Sequence, residues 1–392
     1  MNIDRDILCE PADLVLEAPV RNRSAEPLSV RLFPRESKDA LRDKWREMEA
    51  VSEHTFFTCW DWISGWLDTV SAQILQCEVH AGEELVGLGL FVERRERRMG
   101  LIPFRRLFLH RTGEHALDRM CIEWNDLLIR PGFEEGVRRS LVEVLTREPR
   151  GADEVVFGYT PEGHDRGVAG PGFVSRIGYT QASPWVDLAR VRAEGGFDNT
   201  LSHKTRANVR KSLRKAEALG RIELRSAATA GEALDFFREA GPYHIERWKN
   251  GKPGRQSGYL NPTFLAFHER LIPVAFDHGR LDFVKVTAGG VLLAYMYFFV
   301  YRKVVHFYQS VVNFAGLENG QPGLIANYLC IQKFAEQDLE KYDFLAGDSQ
   351  YKRVLATDTA TQMYFHYRKR SLKMGMVERY LAWKHKSQIK QE

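Results

Sequence analysis

The chain of 392 residues is long enough for two domains of ordinary size, and its 44% hydrophobic and 28% charged residues are typical of a globular protein rather than a disordered one. A net charge of +4 is too small to indicate a nucleic-acid-binding protein by itself, so we expect no DNA partner. The longest apolar run, Val291 to Tyr301, is shorter than the roughly 20 residues of a membrane-spanning helix. The acidic N-terminus does not resemble a signal peptide, and we expect a cytoplasmic protein.

Five cysteines are scattered without a CxxC pair, and the sequence contains no zinc-spaced Cys/His set, HExxH motif, P-loop or serine nucleophile elbow. We therefore expect reduced, mostly buried thiols and no metal. The chemistry that remains is direct transfer between two bound substrates. Such transfer needs positioning and stabilisation of an oxyanion rather than a covalent nucleophile.

The first half of the chain predicts one mixed α/β domain. Residues 1–27 show no hydrophobic period and are expected to form an arm. A strand from Leu28, a helix from Lys38 to Glu49, an aromatic helix and three strands follow. A further helix and two strands, the last of them SPWVDLA, close a domain over residues 28–190.

The second half repeats this order of elements and predicts a catalytic domain over residues 196–375, with a basic tail at 376–392. The predicted elements are a basic helix (Ser202 to Leu219), the strand IELRSA, helices Ala230 to Trp248 and Pro262 to Leu271, three antiparallel strands, a helix from Gly323 to Gln337 and the strand YDFLAGD.

Two hairpins that turn at glycine, one after Ala81 and one after Ala288, align with an offset of one residue. The alignment indicates either a duplicated topology whose first copy has lost its chemistry, or two unrelated hairpins.

A glycine-rich loop leads from the last of the three antiparallel strands of the second half into a helix with Pro322 near its first turn. Such a turn lets a ligand approach the backbone, and the free N–H groups of the first helical turn attract an anion such as a pyrophosphate. Gly320, Gln321, Gly323 and Leu324 are therefore candidate binding residues. The alternative is a tight turn that binds nothing.

Three polar residues lie just after the predicted strand residues Tyr342 to Ala346, at a strand end where α/β folds tend to build sites. Asp348 can orient or deprotonate a nucleophile, and Tyr351 can protonate a leaving thiolate. Lys352 can stabilise negative charge on an intermediate or a phosphate. The alternative is a polar loop whose tyrosine packs and whose lysine is solvated.

A second group of candidates lies upstream. His244 and Trp248 share a helix face because they are four residues apart, and histidine suits general base work near neutral pH. A core histidine packed against an aromatic ring is the alternative. Tyr308 belongs to a set of strand aromatics that can form either a core or the wall of a site for a long substrate.

The basic helix begins at a good cap, Ser202, and buries a narrow apolar stripe. Its cations, among them Arg206 and Arg210, must point elsewhere, and arginine grips phosphate oxygens in a forked geometry. They are candidate ligands for the phosphates of a donor or an acceptor. The alternative is a solvated helix face.

Taken in order, several segments resemble the GNAT-type acetyltransferases of the CelD/BcsL group, found in bacterial cellulose and exopolysaccharide gene clusters and related to the FemAB peptidoglycan aminoacyltransferases. These segments are IEWND, SHKTRANVRKSLRK, HIERW, YQSVVN with QPGLIANYL, and YDFLAGDSQYK. The resemblance covers roughly residues 56–352.

The resemblance implies two tandem GNAT-like domains, each a mixed, mostly antiparallel sheet flanked by helices. It implies acetyl-CoA or another acyl-CoA as donor, with its phosphates at Gln321 to Leu324. The implied acceptor is an amino sugar or another polysaccharide precursor, and membrane-associated polysaccharide synthesis machinery is a candidate partner.

The usual acetyl-CoA signature, Q/R-x-x-G-x-G/A, is not met. Aligned on Gly323, this chain has Gly320 at the first position and Ile325 at the last. FemAB-type relatives use aminoacyl-tRNA on the same fold, and the basic helix suits such a donor equally well. A tRNA-dependent transferase and a non-catalytic module that binds a nucleotide or a partner therefore stay as alternatives.

Overall fold

The computed structural model describes residues 27–147, 151–164, 168, 170–249, 256–377 and 379–380. The predicted arm and the predicted basic tail therefore lie outside the described residues, except at Pro27 and at positions 376, 377, 379 and 380. Within the described ranges, no helix combines the length and the apolar character needed to cross a bilayer.

Thirteen strands of the described chain form one sheet. They are β1 (Leu28–Pro34), β2 (Ile74–Ala81), β3 (Glu84–Arg98), β4 (Ile102–Leu109), β5 (Leu128–Ile129), β6 (Glu154–Pro161), β7 (Phe173–Asp187), β8 (Ile222–Ser226), β9 (Leu281–Ala288), β10 (Val291–Tyr301), β11 (Val304–Val312), β12 (Lys341–Asp343) and β13 (Asp358–Lys369). The period of two is plain in β1, where Leu28, Val30 and Leu32 are buried, because alternate side chains of a strand point to the same face.

Helices cover the sheet. They are α1 (Lys38–Val51), α2 (Trp60–Thr69), α3 (Glu134–Thr146), α4 (Leu188–Ala193), α5 (Phe197–Thr200), α6 (His203–Glu217), α7 (Ala230–Trp248), α8 (Pro262–Asp277), α9 (Pro322–Ala335) and α10 (Gln350–Leu355). The basic helix α6 begins as predicted, since the Ser202 side chain accepts the N–H of Thr205. Its buried stripe includes Val209 and Ala216.

The order of strands shows a duplicated arrangement. From the outer edges inward, β1, β2, β3, β4 and β6 of the first half correspond to β8, β9, β10, β11 and β12 of the second. In both sets the strands pair antiparallel except for the innermost pairs, β4 with β6 and β11 with β12, which are parallel. The two aligned hairpins, β2–β3 and β9–β10, hold equivalent places. The predicted fold class, mixed and mostly antiparallel sheets flanked by helices, is confirmed.

Two long strands join the halves at the centre of the sheet. β13 belongs to the second half of the sequence but pairs with β6 of the first half, and β7 of the first half pairs with β12 of the second. β7 and β13 also pair with each other along their length. Each half is thus completed by a strand from the other.

The halves also share a hydrophobic core. Phe56, just before α2, stacks on Phe299 of β10 with ring centroids 4.1 Å apart. Trp62 of α2 packs edge-on against Phe267 of α8 at 4.8 Å. Burying such large rings contributes roughly 1.5–3 kcal/mol each, so these contacts fix the position of one half against the other.

Two predicted strands differ from the structure in extent. β12 ends at Asp343, because Leu345 (φ +59°) and Gly347 (φ +123°) leave extended geometry within the predicted strand YDFLAGD. The predicted strand SPWVDLA is only the end of β7. It stops at Asp187, whose side chain accepts the N–H of Arg190 and so begins α4.

Candidate active site

In each half the parallel pairing, β4 with β6 and β11 with β12, covers only part of the length of the first strand. Pairing of β11 with β12 stops after His306 and Asp343, although β11 continues to Val312. Pairing of β4 with β6 likewise stops after Phe108 and Val156. Beyond these points the backbones diverge, and each half has an opening between its two innermost strands.

In the first half this opening is filled by Asn125. Its amide Nδ2 donates to the carbonyls of Leu109 (2.9 Å) and Phe157 (2.7 Å), one on each side of the gap. Its backbone N–H donates to the carbonyl of Tyr159 at 2.6 Å. The side chain of a buried residue therefore occupies the place where a ligand would otherwise bridge the strands.

The residues before Asn125 run to the opening of the second half. Glu123 Oε2 accepts the backbone N–H of Ala346 (2.7 Å) and the amide N–H of Gln362 (2.9 Å). The indole N–H of Trp124 donates to the carboxylate of Asp343 at 3.1 Å. Asn125 of the motif IEWND thus closes the opening of the first half, and Glu123 places a carboxylate at the opening of the second half.

Glu123 is partly buried, and removal from water raises its pKa to about 7. The hydrogen bonds from Ala346 and Gln362 and the charge of Lys352 oppose this shift, while the nearby charge of Asp343 adds to it. Among the described residues, both hydrogen bonds to this carboxylate engage Oε2, so Oε1 is left to accept a proton from a substrate. A carboxylate with a pKa near the working pH suits general base catalysis.

Lys352 is buried beneath this carboxylate. Its ammonium donates to the carbonyls of Phe344 (2.7 Å), Leu345 (3.3 Å) and Ala346 (2.9 Å), which uses all three of its N–H bonds. Burial lowers its pKa, and the charges of Glu123 and Asp343 oppose that change. Lys352 therefore fixes the chain after β12 rather than presenting a free donor.

A cavity of about 450 Å³ lies above Glu123, between the two halves. The first half lines it with charged and aromatic side chains, and the second half with aromatic and amide side chains. The lining residues include Arg111, Asp118, Arg119, Cys121, Glu123 and Tyr159 from the first half and His244, Trp248, Phe264, Tyr308 and Gln309 from the second. The volume is in the range of pockets that hold small molecules.

The structure brings His244, Trp248 and Tyr308 together in this cavity. The His244 and Trp248 rings lie 6.1 Å apart, as their spacing on α7 predicts. The Gln309 amide faces His244 Nε2 at 3.2 Å, and His244 Nδ1 lies 2.6 Å from the Ser257 hydroxyl. Burial lowers the pKa of His244 to about 4, so the ring is neutral near pH 7.

Tyr308 is held in place by a buried chain of hydrogen bonds. Its hydroxyl donates to the carbonyl of Met120 (2.6 Å) and lies 3.1 Å from His268 Nε2. His268 Nδ1 lies 3.2 Å from the Tyr297 hydroxyl. Since the Tyr308 proton goes to Met120, His268 donates from Nε2 and accepts from Tyr297. The phenol at the cavity wall therefore has one orientation.

Gly320, Gln321, Gly323 and Leu324 lie where β11 leads into α9. Gln321 is the residue before the helix, and the backbone N–H of Leu324 donates to its carbonyl. A Cβ at Gly323 would lie 3.2 Å from Val312 at the end of β11, so glycine permits close packing there. The ammonium of Lys215, near the end of α6, donates to the carbonyl of Asn319 at 2.7 Å. The basic helix thus ends beside the glycine loop.

The other predicted residues lie away from the cavity. Arg206 donates to the carbonyl of Leu201, and Arg210 pairs with Asp198, both near the start of α6. The exposed Asp348 pairs with Arg353.

Tyr351 packs against Phe344 with ring centroids 6.2 Å apart. Burial raises its pKa to about 12, so its phenol is protonated at neutral pH. It is not among the residues that line the cavity.

The predicted site residues did not include Glu123, Gln309 or Gln362. Glu123 lies within IEWND, which the resemblance had marked without giving it a role. Its hydrogen-bond partners lie just after β12 and on β13, more than 200 positions further along the chain. In the described part of the chain, no group of three or more His, Cys, Asp or Glu side chains is placed to hold a metal ion.

Part of the second half matches a known protein family. Residues 203–353 match the family model described as an acetyltransferase (GNAT) domain. No curated protein sequence matches the chain.

Solved structures of similar fold match most of the chain at low identity. The crystal structure of FemX is 10% identical and covers 88% of this chain and 98% of its own, with a TM-score of 0.56. A conserved protein of unknown function from Bacteroides thetaiotaomicron is 10% identical over 86% and 99% of the two chains, with a TM-score of 0.52. The C-terminal DUF2156 domain of a putative lysylphosphatidylglycerol synthetase from Agrobacterium fabrum is 9% identical over 87% and 94%, with a TM-score of 0.51. These likenesses show a common fold. Residues 203–353 form a GNAT acetyltransferase domain, and the protein is an acyltransferase.

Proposed function

We propose that the protein is a cytoplasmic, acyl-CoA-dependent N- or O-acyltransferase that modifies a sugar nucleotide, a polysaccharide or a lipid-linked envelope precursor, as in the CelD/BcsL group. The observation that carries the proposal is Glu123. It is a carboxylate with a pKa near 7 that lies between an open strand gap and a cavity large enough for an acceptor.

The second half offers a place for the donor. Among the described residues, no side chain hydrogen-bonds across the opening between β11 and β12 as Asn125 does in the first half. The backbone edge of β11 beyond His306 can pair with the amides of a pantetheine arm. The first turn of α9 lies at the end of the same strand, and its N–H groups and helix dipole favour a pyrophosphate. Lys215 near the end of α6 adds positive charge beside this turn, and Arg214 precedes it on the helix.

The residues of this chain can then act as follows. Glu123 Oε1 takes a proton from the hydroxyl or neutral amine of the acceptor. At the same time the acceptor's oxygen or nitrogen forms a bond to the thioester carbon. The carbon–sulfur bond breaks, and CoA leaves as a thiolate that must take up a proton. Tyr351 is our candidate proton donor, because its phenol is protonated at neutral pH and packs beside Phe344 at the end of β12.

The cavity wall supports a sugar-like acceptor. Flat rings, Trp248 and Tyr159 among them, can stack on a sugar face, and Gln309 and His244 offer hydrogen bonds to hydroxyl groups. Arg119 lies at the same cavity and can pair with the phosphate of a nucleotide- or lipid-linked sugar.

The test is a thiol-release assay with purified protein, a panel of acyl-CoAs and a panel of amino sugars and sugar nucleotides. We expect saturable release of CoA with at least one pair, and loss of that release in Glu123→Gln. Calorimetry that detects no binding of any CoA at millimolar concentration would contradict the proposal.

A second candidate donor is an aminoacyl-tRNA. It is favoured by the exposed cations of α6, which include Lys204, Arg210, Lys211 and Arg214 and extend along the whole helix rather than only beside the glycine loop. Such a donor predicts a gel shift with tRNA that weakens steeply as salt is raised, because bound cations release counterions from the phosphates. The absence of a gel shift at low salt would exclude a tRNA donor.

A further inference from the structure

An apolar tip projects from the β3–β4 hairpin at the end of the sheet away from the cavity. Leu101 is 79% exposed and Met99 is 44% exposed. Both lie at the turn, where Met99 and Gly100 have positive φ. The cavity, by contrast, lies beyond the other end of β4, at Arg111. Large side chains this exposed contribute nothing to the core of the described protein.

A second apolar tip lies on the helical turn at 372–377. Leu372 is 92% exposed and Met376, one turn later, is 54% exposed. Met374 and Val377 on the opposite side are buried and attach the turn to the protein. The exposed pair therefore belongs to a structured segment.

Lys373 brings the two tips to the same end of the sheet. Its ammonium donates to the carbonyl of Pro103 (2.8 Å) and pairs with Asp153 (2.6 Å). It also lies 5.7 Å from the centre of the Phe104 ring. Pro103 is two residues from Leu101, and Lys373 adjoins Leu372, so the apolar tips flank this contact.

Positive charge surrounds the tips. Arg97 on β3 is exposed, and a shallow cavity of about 440 Å³ beside the turn is lined by Arg176, Arg368, Lys369 and Arg370 among others. The nearby acids are already paired, Glu96 with Arg98 and Glu154 with Arg368. Arg379, which follows the helical turn, is also exposed.

We propose that this surface, the Leu101–Leu372 surface, binds a membrane rich in anionic lipid. Basic residues are attracted to anionic headgroups, and apolar side chains among them enter the boundary between headgroups and acyl chains. Nucleic acid would satisfy the cations but would leave Leu101 and Leu372 in water. The proposal does not depend on the chemistry of the site.

The test is co-sedimentation of the full chain with vesicles of phosphatidylcholine alone and with vesicles of equal parts phosphatidylcholine and phosphatidylglycerol. We expect binding to the second kind only, weakening as salt rises. The double variant Leu101→Ser with Leu372→Ser should bind about tenfold more weakly or worse, since burial of a leucine side chain is lost twice. Arg97→Glu should weaken binding and make it less sensitive to salt.

Val274→Ser is the matched control, because Val274 is 40% exposed on α8, away from this surface. It should bind like the native protein, and circular dichroism should show that all variants fold. The proposal is overturned if the native protein ignores both kinds of vesicle. It is also overturned if the leucine variant binds as well as the native protein, or if duplex DNA binds as tightly as the anionic vesicles and is indifferent to the leucines.

Discussion

Glu123 Oε2 accepts the backbone N–H of Ala346 at 2.7 Å, so a carboxylate of the first half caps the chain at the end of β12 in the second half. Gln362, which holds the same oxygen, lies on β13, the strand that joins the halves. The base, its support and the donor opening therefore come from different parts of the chain. Neither half contains a complete site.

Removal of the carboxylate should abolish most of the activity. We expect Glu123→Gln to lower kcat by about 100- to 10,000-fold, the usual contribution of a general base, with little change in the affinity for acyl-CoA. Steady-state thiol release and calorimetry measure the two effects. Glu47→Gln, an exposed position on α1, is the control and should behave like the native protein. A Glu123→Gln variant with native kcat would remove Glu123 from the mechanism.

Activity should rise with pH as Glu123 loses its proton. Because its pKa is about 7, kcat/KM should increase about tenfold per pH unit well below pH 7 and level off above it. A pH–rate profile between pH 5 and 9 measures this. Gln362→Leu removes one hydrogen bond that favours the charged form, so it should move the midpoint to higher pH. A midpoint unchanged in that variant would show that Gln362 does not tune the base.

The raised pKa of Glu123 should also affect the stability of the protein, which should fall as pH rises although activity increases. The folded state holds the Glu123 proton more tightly than the unfolded chain, so this group lowers the free energy of unfolding as pH rises from about 4.5 to about 7. The cost is at most about 3 kcal/mol. Urea unfolding should show that the free energy of unfolding of Glu123→Gln, relative to that of the native protein, is larger at pH 8 than at pH 5. An equal difference at both pH values would contradict the raised pKa.

Lys352 should matter for stability more than its neighbour. Lys352→Met leaves three carbonyls and the nearby carboxylates without their cation, and we expect a loss of about 3–5 kcal/mol. Arg353→Met is a matched control one position along, since its pair with Asp348 is exposed and should contribute about 1 kcal/mol or less. Denaturant unfolding of both variants measures the difference. Similar losses in the two would argue against the buried role.

Local patterns predicted most of the fold. The period of α7 predicted a helix from Ala230 to Trp248, which are its observed limits, because its apolar face is set by neighbours three and four residues apart. β13 was not predicted. Its pattern, DTATQMYFHYRK, mixes polar and aromatic residues, and its partners β6 and β7 lie about 200 positions earlier. Pairing at that distance leaves little trace in a local pattern.

The same limit applies to the site. His244 and Trp248 could be paired from their spacing on one helix, and the structure places them together at the cavity. Glu123 could not be singled out, because its raised pKa arises only when IEWND meets the end of β12 and the middle of β13. Its burial is a property of the assembled halves.

Asn125 leads to a prediction about stoichiometry. Since its amide fills the opening of the first half, only the second half is free to take a donor. Calorimetry should therefore give one acyl-CoA per chain. Two equivalent sites per chain would show that Asn125 is displaced by ligand and that the first half also binds a donor.

The two candidate donors can be separated with two cations of α6. Arg214 lies at the end of the helix that contacts the glycine loop, whereas Lys204 lies near its start, about 15 Å away at 1.5 Å per residue. An acyl-CoA whose pyrophosphate lies at the start of α9 can be reached only from the Arg214 end. Arg214→Ala should then raise KM for acyl-CoA by about five- to tenfold, the loss of one charge-assisted contact, while Lys204→Ala leaves it unchanged.

A tRNA spans the helix, so both substitutions should weaken its binding by similar factors and each should reduce the salt dependence by about one phosphate contact. Both variants should be measured with both donors. If neither substitution affects either donor, α6 is a solvated face and the donor phosphates lie elsewhere.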